Sequence, residues 1–173
     1  EVTDRDVHKS EQSIEEIMGQ LYLELGEMSA RGDVTLGVST GFPKIDEHLL
    51  GLRPGQMVVI GARPGVGKTS FALNLAVNAA AAGASVAFFS LEMSRTEIVM
   101  KVLSAEASIP LNRIRGGGAK MDESDWQRIT DKAAILAEKN FFIDDSPNLT
   151  MMEIRAKARR LKQRNDLQLL AID

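Results

Sequence analysis

A lysine followed by a threonine, Lys68 and Thr69, closes the run Ala62-Arg63-Pro64-Gly65-Val66-Gly67-Lys68-Thr69, whose residue types suit one task, the holding of a polyphosphate. Gly65 and Gly67 let the backbone fold closely round an anion. The N–H groups from Gly65 to Thr69, together with the positive end of a following helix, supply donors aimed at it. The Lys68 ammonium offers a point charge to the β- and γ-phosphates of ATP, and the Thr69 hydroxyl is of the type that ligates the Mg2+ bridging them. Arg63, Pro64, Val66 and Ser70 complete the expected nucleotide-binding set. The usual pattern opens on glycine, where this sequence has Ala62. The contacts come from backbone further along, so the departure leaves the chemistry in place. A chance Gly-Lys-Thr in a surface loop is the competing reading, and the elements on either side weigh against it.

Carboxylates at strand ends form the second group. The apolar run Leu167-Gln168-Leu169-Leu170-Ala171-Ile172-Asp173 ends in an acid about a hundred residues after Lys68, and this is the form of a strand that aims a carboxylate at a Mg2+ shell. The run Val86 to Leu91 delivers Glu92 to the carboxyl edge of a sheet, where ligands of open α/β sheets bind. Glu92 is a candidate catalytic group that orients an attacking water; a carboxylate favoured by the dipole of a helix starting near Ser94 is the equal alternative. Asp144 and Asp145 are further candidates, ranked lower because adjacent acids are common in turns. Arg155, Lys157, Arg159, Arg160, Lys162 and Arg164 put six bases in ten residues, with Met152, Ile154 and Leu161 as apolar partners. That run reads as a basic patch or, more ordinarily, as a solvated helix face.

The elements that must position these groups alternate. Gln56 to Gly61 reads as a buried strand because Met57, Val58, Val59 and Ile60 are continuous, and Ser85 to Leu91, Asn140 to Asp144 and Leu167 to Asp173 repeat the pattern. Helices are expected from Thr69 to about Ala82, from the Ser94/Glu97 cap to about Ala105, from near Asp122 to Lys139 with Trp126, Ile129, Ala133 and Leu136 on one face, and from the Thr150/Glu153 cap to about Arg164. Strands separated by helices predict an α/β fold, a parallel sheet with helices on both faces. Thr40-Gly41, Pro43, Gly51 and Pro54-Gly55 read as turns, and Gly116-Gly117-Gly118 as a flexible surface loop. Ahead of these, Ser13 with Glu16 caps an amphipathic helix carrying Ile14, Ile17, Met18, Leu21, Leu25 and Met28 to a stop near Gly32. Its stripe packs either on its own domain or, as a linker helix, on a neighbouring subunit.

With 173 residues and 44% hydrophobic composition the chain can bury one ordinary core. No run approaches the roughly 20 apolar residues that span a bilayer, and Glu1 to Lys9 is too polar for a signal peptide. The absence of cysteine excludes disulfides, thiolate zinc sites and thiol nucleophiles, and suits a cytoplasmic protein. A formal charge of -3 excludes bulk coating of nucleic acid, so any DNA contact must be local.

Taken together, the phosphate loop and Ser90-Leu91-Glu92-Met93 resemble the motor domain of the bacterial replicative DNA helicases, the DnaB family. The likeness extends to Thr40-Gly41-Phe42 with Ile45-Asp46, to Ile143-Asp144-Asp145-Ser146 and to Arg155-Ala156-Lys157-Ala158-Arg159-Arg160, covering about Val38 to Asp173. It implies a RecA-like ATPase fold, with residues 1–37 a linker segment (helix about 13–31) and 38–173 the N-terminal part of the motor. It implies ATP and Mg2+ as cofactors, with Lys68 and Thr69 on phosphate and metal, Glu92 activating water and Asp173 reaching Mg2+ through water. It further implies a homohexameric ring translocating 5′ to 3′ on single-stranded DNA, with a primase and a helicase loader as partners and no membrane. The family continues past the residue matching Asp173 into DNA-binding loops and a basic finger, so these residues alone are expected to turn ATP over slowly and to unwind nothing. Two rivals share part of the pattern. Another RecA-like ATPase of recombination, repair or clock function lacks the pairing of Arg63-Pro64 with Leu91-Glu92-Met93. A non-catalytic nucleotide-binding assembly module is separated only by the effect of Glu92→Gln on turnover.

Overall fold

The computed structural model describes residues 13–31 and 37–173. In chain order they form α1 (Ile14–Arg31), α2 (Pro43–Leu49), α3 (Lys68–Ala81), β1 (Val86–Phe89), α4 (Arg95–Ala107), α5 (Leu111–Arg115), a 3-10 turn (Gly117–Lys120), α6 (Glu123–Ala137), β2 (Phe141–Asp144), α7 (Met151–Asn165) and β3 (Leu169–Ile172). The strands make one parallel sheet in the order β2-β1-β3, with Phe89 level with Asp144 on one side and Ile172 on the other. β1 is therefore central, and all four of its residues are buried.

Alternation along β1 divides the core in two, because successive side chains of a strand point to opposite faces. Val86 and Phe88 join Leu73, Ala76 and Ala80 of α3 and Ile98 and Val102 of α4 on one face. Ala87 and Phe89 meet Ile154 of α7 and Leu167 on the other. Each large side chain buried this way contributes about 1.5–3 kcal/mol. Small residues on α3 (Ala76, Ala79 and Ala80, all buried) bring the helix close to the sheet, which fixes where its N-terminal end, and so Lys68, lies.

Four helix starts follow the caps expected of them. Ser94 with Glu97 and Thr150 with Glu153 make reciprocal capping boxes, Asp122 does the same with Asp125, and at α1 the Ser13 hydroxyl accepts from Glu16 N–H at 3.2 Å while the Glu16 carboxylate accepts from Ser13 N–H at 3.0 Å. The expected stop of α1 near Gly32 lies outside the described residues, as does the start from Glu1 to Lys9.

Several expectations are corrected. Gln56 to Gly61 is not a buried strand: it pairs with none of the three strands, and Met57 and Val59 are 88% and 78% exposed. β1 already carries a ladder on each side and the run does not pair with the free edge of β3, and a segment without a partner ladder is not a sheet strand. The outer edge of β3 is likewise unpaired among the described residues. There Leu170 and Ile172 stay exposed beside an apolar groove of about 650 Å³ between β3 and α7. The glycine run at 116–118 enters a 3-10 turn rather than an open loop, and Met152 of α7 is solvent-facing rather than an apolar partner. Trp126 is half-exposed, while the residue before it, Asp125, takes the buried position.

Candidate nucleotide site

The phosphate loop is a turn followed directly by a helix. Val66 N–H donates to the Arg63 carbonyl at 3.3 Å, and Gly65 and Gly67 take φ of +79° and +105°, a region in which a Cβ is strained. No atom lies within 4 Å of where a Cβ would sit on either glycine, so the loop bounds open space rather than packed protein. Gly67 is the N-cap of α3 and provides no side-chain cap, which leaves the first N–H groups of a 14-residue helix to an external acceptor. Arg63, Pro64, Val66 and Ser70 line this exposed turn and the first helical turn.

Three of the expected site residues converge although about a hundred positions separate them. The Thr69 hydroxyl donates to Asp173 Oδ2 at 2.7 Å, and Lys68 Nζ lies 3.5 Å from Asp173 Oδ1. The Asp173 side chain is 3% exposed and that of Lys68 44%, so a screened acid faces a cation still open to a ligand. Backbone bonds bring them there: Asp173 N–H donates to Phe89 O at 2.9 Å and Leu91 N–H to Asp173 O at 2.7 Å, which continues the β1–β3 ladder past its last paired row. A hydroxyl and a carboxylate at hydrogen-bond distance are hard oxygen donors of the kind Mg2+ takes. Mg2+ needs only one or two protein oxygens when phosphates and water fill its other positions, so the residues present fit a Mg2+-nucleotide.

Glu92 reaches the same edge by a different route. It sits in a bend, Leu91 to Met93, between β1 and α4, is exposed, and has no side-chain hydrogen-bond partner among the described residues. Ser94 and Glu97 cap α4 between themselves, so Glu92 is not a capping residue, although it stands two residues before the N-cap, near the positive end of the helix.

The lesser acids are each taken by a cation. Asp144 accepts from Lys157 Nζ at 2.6 Å, from the Ser146 hydroxyl at 2.5 Å and from Ser146 N–H at 3.0 Å. Burial alone would raise its pKa, but these bonds outweigh it and pull the value down to about 2. Asp145 accepts from the Arg95 backbone N–H and from Nε, both at 2.8 Å, and those bonds hold it below the usual carboxylate range. Of the basic run on α7, Lys157 is thus bound to the sheet edge and Lys162 pairs with Asp166. Sequence reasoning missed Arg95 and Lys157 as partners of these acids. The signal for Lys157 was present, since it stands three and four residues from Ile154 and Leu161 on the inward side of α7. Asp46, which belongs to the family likeness, accepts from Thr40 N–H at 2.9 Å and the Ser39 hydroxyl at 2.7 Å and so closes the loop that α3 supports through Asn78.

A parallel sheet with a phosphate loop at its carboxyl edge, and an acid from the third strand beside the loop's threonine, defines a P-loop nucleotide-binding protein of the RecA-like class. Residues 37–173 match the family model "DnaB-like helicase C terminal domain", and the chain belongs to that family. It is 49% identical over 138 residues to the replicative DNA helicase DnaB of Leifsonia xyli subsp. xyli, covering 79% of this chain and 30% of that protein. It is 39% identical over 175 residues to the replicative DNA helicase DnaC of Bacillus subtilis, covering all of this chain and 38% of the relative. A solved ATPase domain superposes with a TM-score of 0.86 at 30% identity, over 94% of this chain and 57% of the other. A DnaB-like replicative helicase solved for its interactions with primase gives a TM-score of 0.80 at 30% identity, over 94% and 39%. The chain thus spans about a third of the length of these curated relatives. No helix among the described residues is long and apolar enough to cross a membrane.

Proposed function

We propose that these residues are the nucleotide-binding part of a replicative DNA helicase motor, in which ATP hydrolysis drives 5′ to 3′ translocation on single-stranded DNA and separates the duplex. The observation that carries this reading is the meeting of Thr69, Lys68 and Asp173 at the carboxyl edge of the sheet of a DnaB-like helicase domain. The phosphates lie on the N–H groups from Gly65 to Thr69, and Lys68 turns from Asp173 toward the β- and γ-phosphates. Bound Mg2+ supplies neutralisation of the charge developing on the transferred phosphoryl group. Thr69 would hold it as a ligand, with Asp173 in support. Glu92, which meets no cation among the described residues, orients the attacking water.

Residues 1–37 act as a linker and 38–173 as the first part of the motor. Ile14, Ile17, Met18, Leu21 and Leu25 of α1 are all exposed, which supports packing of this helix on an adjacent subunit of a hexameric ring. Primase and a helicase loader are the further partners. The test is ATP hydrolysis with and without single-stranded DNA by the intact protein, beside Lys68→Ala and Glu92→Gln. Turnover stimulated by DNA and lost in both variants is the expected result. Nucleotide binding with no DNA-responsive turnover in the parent protein means an assembly module instead.

A further inference from the structure

Among the described residues the Glu92 carboxylate has no side-chain partner, so its position is set by the backbone of a short bend, each residue of which has two soft dihedrals. At one end the bend is tied to the sheet: Ser90 N–H donates to Asp144 O at 2.9 Å, Leu91 N–H to Asp173 O at 2.7 Å, and Met93 N–H to the buried Ser90 hydroxyl at 3.0 Å. At the other end it runs into α4. The Ser94/Glu97 box closes α4 on itself and cannot fix the helix against the sheet. Ile98 and Val102 seat α4 on the apolar face of the sheet, and a polar tie that sets its first turn crosses 50 positions: Asp145, one residue past β2, receives Arg95 N–H on Oδ2 and Arg95 Nε on Oδ1, both at 2.8 Å, with Nη2 2.6 Å from Oδ1. One carboxylate thus grips both the backbone and the guanidinium of the first residue of α4. The bend is suspended between two strand ends, β3 on one side and β2 on the other.

We propose that Asp145 and Arg95 are positioning residues for hydrolysis, a latch from the end of β2 to the start of α4 that holds the Glu92 bend where its carboxylate meets the attacking water. The proposal rests on the reading of Glu92 given above. The latch's geometry is that of a group working on backbone placement. Asp145 satisfies a main-chain N–H three residues after Glu92, and the fork of Arg95 makes the angle of approach specific in a way a lysine cannot reproduce. Opening the latch frees the C-terminal side of the bend while leaving the phosphate loop, Thr69 and Asp173 untouched. Its effect belongs in the chemical step and not in nucleotide affinity.

The experiment measures single-turnover ATP hydrolysis and affinity for a fluorescent ATP analogue in the intact protein. The variants are Asp145→Ala, Asp145→Asn, Arg95→Gln, Arg95→Lys and Glu92→Gln, with Asp145→Ala also placed in the Glu92→Gln background. Opening the latch is expected to slow hydrolysis on the order of tenfold to a hundredfold, the scale of a displacement of about 1 Å, with nucleotide affinity unchanged within about twofold. Asp145→Asn, which still accepts the N–H, should recover part of the rate, and Arg95→Lys should recover less. Asp145→Ala should add nothing once Glu92 is gone. Arg95, whose side chain is 69% exposed, provides the variant that leaves the fold intact should Asp145→Ala not fold. A Glu92→Gln protein that is inactive beside latch variants of normal rate overturns the latch alone. So does a further additive loss in the Glu92→Gln background, or a loss confined to affinity. Normal turnover in Glu92→Gln overturns the reading of Glu92, and the latch with it.

Discussion

Replacing Lys157 by methionine removes the ammonium that holds Asp144 at the carboxyl end of β2 while keeping most of the apolar stem, which lines the same hollow as Leu161 and Phe142. The pKa of Asp144 lies at about 2 against an ordinary 3.8. At about 1.4 kcal/mol per unit, the whole set of bonds to the folded carboxylate is worth about 2 kcal/mol after burial has been offset. Ser146 supplies two of those bonds and survives the change. Both partners are partly solvated, at 34% and 26% side-chain exposure, so Lys157 contributes about 1–1.5 kcal/mol at neutral pH. The sign follows from the depression: the stabilisation is complete above the unfolded pKa and is lost as pH falls toward the folded value. The gap between parent and Lys157→Met in urea unfolding, followed by far-UV circular dichroism and Trp126 fluorescence, should be constant from pH 7 to about 5. It should fall to about three-quarters near pH 3 and to about half near pH 2.5. Carbon NMR of the Asp144 carboxyl should show its titration moving up in the variant. An equal gap at pH 7 and pH 3 refutes the electrostatic account, because the loss then comes from the lysine stem and not from its charge.

Two other changes are expected to show in stability. Asp125 has a fully buried carboxylate that meets Arg113 Nη2 at 2.5 Å and Arg128 Nη2 at 2.6 Å. Asp125→Asn should cost about 2–3 kcal/mol in urea unfolding, toward the lower end for a broken buried pair because both arginines can return to water; a cost under 0.5 kcal/mol, on the scale of an ordinary surface change, refutes it. Gly41 takes φ of +73°, and a Cβ there meets Asn78 Cβ at 2.5 Å. Gly41→Ala should therefore lose at least about 2 kcal/mol in thermal unfolding, from left-handed backbone strain and the displaced Asn78 together, and an unchanged melting temperature contradicts this.

Much of the fold could be read from local rules because those rules are enforced by backbone valence. Capping boxes at Ser94, Asp122 and Thr150 satisfy N–H groups that every helix start must satisfy, so they appear in sequence as reliably as in space. The continuous apolar runs at 86–89, 141–144 and 169–172 mark strands covered by helices. What those runs lack is any statement of pairing: 57–60 is as apolar as 86–89, yet only the latter has neighbours on both sides. Hydrophobicity reports what a segment would bury, and a ladder is needed before it does so. α2 and α5 were read as turns or not at all because seven and five residues are too short to carry a helical period, and Pro43 at the start of α2 carries a turn signal as readily as a helix-first-turn one.

The acids divide in the same way. Sequence places Glu92, Asp144, Asp145 and Asp173 all at strand ends, with Asp144 and Asp145 ranked below the other two, because each is a carboxylate after an apolar run. Parallel register settles which cation each meets. β2 stands on the far side of β1 from β3, so its acids face α4 and α7 and are neutralised by Arg95 and Lys157, while the acid of β3 faces the first turn of α3 and meets Thr69 and Lys68. Glu92 follows the central strand and meets no cation among the described residues. On the proposed reading this leaves the Glu92 carboxylate to orient water, whereas Asp144 and Asp145 are engaged in holding the edge in shape.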